Sequence, residues 1–130
     1  MLPLRYERAW LLAGFLMLVA SLVVAMAPAG TTMLFDLNDK VLHTVAFIGL
    51  MVWFSGLFEV RYLLWLAAGL AGYGLLIEVL QSFTPTRQAE GLDLVADIVG
   101  ILLGWLLSIA GLRRWCLVLE SWFVRQKPRR

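Results

Sequence analysis

The chain is poor in the residue types on which soluble chemistry usually rests: one cysteine, one histidine, four prolines and only 15% charged residues in 130. The lone Cys116 excludes an intrachain disulfide and a cysteine-based zinc site, and it leaves the redox compartment unread. Soluble domains carry about a quarter charged residues, so this composition belongs to the membrane class. No glycine-rich phosphate loop, nucleotide motif or serine–histidine–acid order is present, which excludes self-powered pumping. The basic residues gather in the tail beside aromatic ones, an arrangement that does not suit nucleic acid. There is no internal repeat and no low-complexity segment. The length suits one domain, 1–130, with no room for a separate soluble catalytic domain.

What the chain does have is apolar length, with 62% hydrophobic residues. Four stretches stand out, 10–27, 41–58, 62–83 and 92–112. At ~1.5 Å per helical residue each is long enough for a ~30 Å hydrocarbon core. Turn and charge signals separate them: Ala27-Pro28-Ala29-Gly30, then Glu59-Val60-Arg61, then Phe83-Thr84-Pro85-Thr86-Arg87, where Pro85 disfavours helix at Thr84.

Nine of the eleven basic residues fall on one side of these spans: Arg5, Arg8, Arg61, Arg113, Arg114, Arg125, Lys127, Arg129 and Arg130. Lys40 and Arg87 fall on the other. The positive-inside rule then predicts an all-α membrane protein, a four-transmembrane-helix bundle with both termini cytoplasmic. Arg5, Arg8 and Ala25-Met26-Ala27 also resemble a signal peptide with its cleavage site. The apolar stretch is long for that role, and its removal would reverse the side of the tail, so the first helix is read as retained. The tail, 113–130, is expected to begin with a short interfacial helix. Its apolar face would be Trp115, Val118, Leu119 and Trp122; a solvated basic tail is the alternative.

The charges inside the apolar part converge on the outward end. Asp39, Lys40 and His43 open the second span, Glu78 and Gln81 close the third, and Asp93 and Asp97 open the fourth. Ionisable residues at membrane depth are expensive, and such a convergence points to a site. Asp93, Asp97, Gly100, Gly104 and Ser108 follow intervals of three and four, hence one helical stripe. Gly100 and Gly104 allow another helix to approach closely, and the expected neighbour is the small face of the third span, Ala71, Gly74, Glu78 and Gln81. Asp39 and Asp93 could equally be helix caps. Glu78 and Asp97 lie about one turn inside their spans and each needs a cation, a proton or a metal. Lys40, His43 and Arg87 are the cations at hand. A lone histidine at a helix start is commonly structural; among carboxylates it becomes a candidate base or a ligand for a divalent ion.

Read in order, Asp39-Lys40-x-x-His43-x-x-x-Phe47, Glu78-x-x-Gln81, Arg87 and Asp93-x-x-x-Asp97-x-x-Gly100 resemble the VanZ-like family of small bacterial membrane proteins over residues 36–108. Asparagine is common in that family where this chain has Asp97, so the cluster here carries an extra acid. The resemblance implies a multi-pass protein of the bacterial plasma membrane and cell envelope. Its site would be Asp39, Lys40, His43, Glu78, Gln81, Arg87, Asp93 and Asp97. The family's namesake is associated with teicoplanin resistance, a phenotype that does not transfer by resemblance alone, and the family supplies no established reaction.

Several functions fit. The favoured one is a pocket for the headgroup of a lipid or lipid-linked glycan, an envelope precursor held at the bilayer surface. The outer half counts six acids (Asp36, Asp39, Glu78, Glu90, Asp93, Asp97) against Lys40 and Arg87, a formal −4. That excess favours a cationic ligand, a metal ion or protonated acids over simple phosphate. An enzyme with His43 as base and Glu78 or Asp97 as acid or metal ligand is the second reading. A structural or accessory subunit is the third. Transport is disfavoured because the acids stop at one end.

Overall fold

The computed structural model of the chain describes residues 1–27, 39–85 and 90–125. Within them the regular elements are helices: α1 (Glu7–Met26), α2 (Asp39–Ser55), α3 (Leu63–Ser82), α4 (Gly91–Ile109) and α5 (Trp115–Arg125). Short 3-10 turns, Val60–Tyr62 and Leu112–Arg114, lead into α3 and α5. Three segments, Glu7–Met26, Val60–Ser82 and Gly91–Ile109, are long and apolar enough to cross a membrane. The fourth expected span, α2, has 17 residues, about 25 Å of helix against a ~30 Å core.

Two glycines set boundaries that periodicity alone misplaced. α2 stops at Ser55 rather than at 58. Gly56 lies directly under the Trp115 indole, where a Cβ would come within 2.7 Å of Cδ1 and closer still to Nε1. That indole donates to the Val52 carbonyl at 3.1 Å, fastening the end of α2. α4 ends at Ile109 rather than 112, because Gly111 takes φ 141°, a region that costs glycine least.

The tightest packing is between α2 and α4, which run parallel. Gly100 meets the Thr44 carbonyl and Phe47 Cβ, at 2.5 and 2.9 Å from the position of an added Cβ. One turn on, Gly104 meets Met51 Cβ and the Ile48 carbonyl at 2.7 and 2.9 Å on the same measure. One turn further, Ser55 and Ser108 share a hydrogen bond of 2.7 Å, and Ser108 also donates to the Gly104 carbonyl. The small stripe of α4 therefore serves α2. The expectation that it would chiefly meet α3 is corrected: α3 packs antiparallel on α4 through Gly74 instead, beside Asp97 and Phe47.

α1 lies against α2 and α3. Its Gly14 passes under Trp53 and Phe54, Tyr73 donates to the Leu18 carbonyl at 2.7 Å, and Gln81 Nε2 donates to the Ala25 carbonyl at 2.9 Å. The core is Phe47, Leu50, Met51, Leu63, Leu70, Ile77 and Ile101.

A second knot closes the opposite end of the bundle. Trp10, Trp53 and Trp115 pack ring against ring with centroids 4.8–5.7 Å apart. Glu120 of α5 accepts from the Arg5 and Tyr6 backbone N–H groups at 2.7 and 2.9 Å and from the Trp10 indole at 2.7 Å. α5 is thereby docked on the bundle through Cys116 and Glu120, both buried. Trp115 turns inward to that knot, whereas Val118, Leu119 and Trp122 remain exposed with Phe123. The apolar face expected to be continuous is thus split. Burial pushes the Cys116 thiol up to about 12, with the Glu120 charge adding to it, which removes it as a nucleophile. Burial also works to raise the Glu120 carboxyl, but the three N–H donors and the Arg5 charge outweigh it and hold it below its ordinary 4.5.

Gly100→Ala and Gly104→Ala are each expected to cost about 1–3 kcal/mol by overpacking. Gly72→Ala, with open space around its Cβ position, should be neutral or slightly stabilising; thermal unfolding in detergent separates the two. Glu120→Ala strands buried donors and should cost about 1–3 kcal/mol. The native Glu120 carboxyl is depressed, so its contribution is complete above pH 4.5 and fades as pH falls through the lower folded value. A melting curve taken into acid should lose that component in the variant.

Candidate functional site

The parallel register of α2 and α4 puts their second turns side by side. His43 Nδ1 lies 2.8 Å from Asp97 Oδ1, and the two side chains are 7% and 0% exposed. With Asp97 ionised, Nδ1 is the donor and the imidazole presents Nε2 away from Asp97. Thr44, the next residue, donates to the Lys40 carbonyl at 2.8 Å and to the Ala96 carbonyl at 3.2 Å, pinning the two helices at this level. Gly74 of α3 makes room for the Asp97 carboxyl: a Cβ there would collide with Oδ2.

α3 returns antiparallel and delivers Glu78, one turn before its end, to the same place. Glu78 is within electrostatic reach of Asp93, His43 and Asp97, and the Glu90 N–H faces its carboxyl. Asp93 sits one turn from Asp97 on α4, in the first turn of the helix. The N-cap position is Glu90, which makes no side-chain cap, and Asp93 instead places its acid in the first turn, where the helix N-terminus favours negative charge. Asp39 occupies the first turn of α2.

Among the described residues, Glu78 Oε1, Gln81 Oε1, Asp93 Oδ1 and Asp97 Oδ2 are buried and accept no hydrogen bond, although the Lys40 ammonium approaches Asp93 Oδ1 to 3.6 Å. Buried polar atoms are almost always paired, and each unpaired one costs about 1–3 kcal/mol. Such a set on one cluster demands protons, a cation or the donors of a ligand. Gln81 uses its amide N–H on Ala25, so its role is partly to hold α1. Lys40 sits on the rim, donating to Glu90 Oε2 at 2.7 Å and lying 3.6 Å from Asp93 Oδ1. The Lys40–Glu90 pair is exposed and screened by solvent, hence worth little to stability. Acids at the rim thus already engage the Lys40 ammonium. Arg87 lies outside the described residues.

A groove of about 280 Å³ opens beside His43. α1 and α2 wall it through Ser21, Val24, Ala25 and Ala46, Ile77 of α3 lines it as well, and Asp39 also borders it.

Among the described residues no group of three or more His, Cys, Asp or Glu side chains is arranged to hold a metal ion. The divalent ion considered from the sequence therefore gains no support. Two further residues escaped sequence reading. Thr44 belongs with Ile48, Met51 and Ser55 to a stripe at intervals of four, three and four that matches the glycine stripe of α4, and this was its signal. Glu120 carried none, since its partners, two backbone N–H groups and the Trp10 indole, lie 110 to 115 residues away. The chain matches no protein-family model, no curated protein and no solved structure.

His43→Ala leaves Asp97 buried without its partner and should cost about 3–5 kcal/mol in thermal unfolding. Glu78→Gln removes a carboxylate from among like charges and should leave the melting temperature unchanged or raise it.

Proposed function

We propose that the chain is a VanZ-like, multi-pass protein of the bacterial plasma membrane. In this reading four helices cross the bilayer, both termini are cytoplasmic, and an outward-facing acidic pocket binds the headgroup of a lipid or lipid-linked glycan of the cell envelope. Arg5, Arg61, Arg113 and Arg114 sit at the knotted end and Lys40 at the polar end, a separation that supports this orientation by the positive-inside rule. The apolar helices support the membrane reading. A tie to glycopeptide (teicoplanin) resistance rests on the VanZ likeness alone.

The observation that carries the binding reading is the set of buried oxygens, on Glu78, Gln81 and Asp97, that accept no hydrogen bond among the described residues, beside an Asp93 oxygen met only by the Lys40 ammonium at the rim. A fold held only for stability would pair these atoms, as it pairs Glu120 at the other end. Acceptors in excess call for a ligand rich in donors, so an amine-bearing or hydroxyl-rich headgroup fits better than a bare phosphate. The His43–Asp97 pair favours a second reading, an enzyme acting on the same class of ligand. There, Asp97 holds the imidazole and Nε2 serves as the base.

Lipids that co-purify with the detergent-solubilised protein, identified by mass spectrometry, test the proposal. The parent protein should be enriched in an amine- or glycan-bearing lipid relative to the host membrane. Glu78→Gln should lower that enrichment about tenfold, the equivalent of 1.4 kcal/mol. A lipid profile equal to the bulk membrane in both proteins would refute headgroup binding.

A further inference from the structure

The groove beside His43 has the chemistry of a site for one hydrocarbon chain. Its walls are apolar over most of their length: Val24 and Ala25 from α1, Ala46 and Phe47 from α2, Ile77 from α3. Ser21 also lines it, but that hydroxyl already donates to the Leu18 carbonyl at 2.9 Å and lies 2.9 Å from the Tyr73 hydroxyl. It therefore offers the groove little polarity. Polarity is confined to one end, where Asp39 and His43 stand. Val24 and Val45, which also border the groove, are exposed on the outer surface of the bundle, 46% and 58%. If the helices span a bilayer, those residues face acyl chains, and the groove opens to the bilayer rather than to water.

A dry slot ending on a polar group matches an amphiphile. The volume, about 280 Å³, falls just below the ~300–1,000 Å³ of ligand pockets, so it suits a length of one chain and not a whole two-chain lipid. His43 is the hinge between the two halves of such a ligand. It is more than nine-tenths buried, Asp97 engages its Nδ1, and its Nε2 has no protein partner among the described residues. In the same cluster lie the Asp97 and Glu78 oxygens that accept no hydrogen bond among the described residues.

We propose that the groove between α1 and α2 holds one hydrocarbon chain of a membrane amphiphile, whose donor-bearing headgroup meets His43 at the polar end. This rests on the headgroup reading and adds to it the ligand class: a lipid recognised by its chain and its headgroup together. The entry is lateral, from the bilayer. A chain already in hydrocarbon gains little from burial itself, so close van der Waals fit along the groove supplies affinity, and the polar cluster supplies selection.

The test uses the full chain in detergent with two lysophosphatidylethanolamines, one palmitoyl and one hexanoyl, and native mass spectrometry to read binding. A palmitoyl probe with a photoreactive diazirine in the chain maps its location. Ala46→Phe fills the groove from α2, and Ala20→Phe narrows it from α1; either one that folds suffices. The parent should bind the palmitoyl probe roughly tenfold or more tightly than the hexanoyl one. In the filled variant that preference should collapse to within about twofold. Crosslinks should concentrate on peptides carrying Val24 and Ala46 and spare the exposed α4 residues Leu102 and Leu106.

Binding of both probes with no chain preference overturns the groove and leaves the headgroup reading standing. Groove crosslinks that Ala46→Phe abolishes, with affinity unaffected by Glu78→Gln, support the groove and remove the headgroup reading. Crosslinks spread evenly over α1 and α4 identify ordinary annular lipid and overturn the inference. So does a dimer that Ala46→Phe dissociates, which would make a second copy the occupant.

Discussion

The close parallel approach of α2 and α4 is the constraint on which the other features depend. It exists because Gly100 and Gly104 have no side chain where the backbone carbonyls of Thr44 and Ile48 pass. In a bilayer, lipid tails are as apolar as leucine, so burial gives little drive for association and close van der Waals packing must supply it. The approach also fixes a register: His43 with Asp97, Thr44 with Ala96, Ser55 with Ser108. These are paired positions along one seam, and a shift of a turn would break them together.

The two ends of the seam are treated in opposite ways. At one end Glu120 is surrounded by donors, with both carboxylate oxygens engaged. Its neighbours are three tryptophans and a thiol held unreactive by burial. That end is a fastening: it joins α5, the N-terminal segment and the end of α2 without leaving polar atoms unpaired. At the other end Glu78, Gln81 and Asp97 keep buried oxygens with no donor among the described residues, and Asp93 has only the Lys40 ammonium at 3.6 Å. The same chain therefore satisfies a buried carboxylate where stability needs it and leaves several unsatisfied where it does not. Unmet hydrogen-bonding capacity is the physical sign of a site prepared for something else. The groove at His43 adjoins that cluster.

Much of this was legible in the residues. Composition indicated the membrane class, and apolar length located α1, α3 and α4 to within a few residues. Spacing by three and four placed Asp93, Asp97, Gly100, Gly104 and Ser108 on one stripe, and all five are buried, together with Ala96 and Ile101. The convergence of His43, Glu78 and Asp97 followed from putting helices of alternating direction side by side. The ends of α2 and α4 were less legible. Gly56 and Gly111 terminate them by a close approach and by a positive φ, neither of which shows in hydropathy. The partner of the glycine stripe was misjudged for a related reason: a short connection implies that α3 and α4 are neighbours, but says nothing of which neighbour comes closest.

By itself the sequence determined the helices, their polar and small faces, and the collection of charges at one end. These follow from local periodicity and from the cost of exposing charge to hydrocarbon, and they do not require knowledge of any partner. Only the tertiary structure decided that α2 is the helix Gly100 and Gly104 receive, that Asp97 rather than Glu78 holds His43, and that Lys40 turns to Glu90 on the rim. It also decided that Glu120 secures the opposite end and that a groove lies open beside His43. Each of these depends on distances between residues about 50 or more positions apart. Such distances are set by which surfaces pack most closely, a property of pairs of helices that no single helix carries in its own pattern.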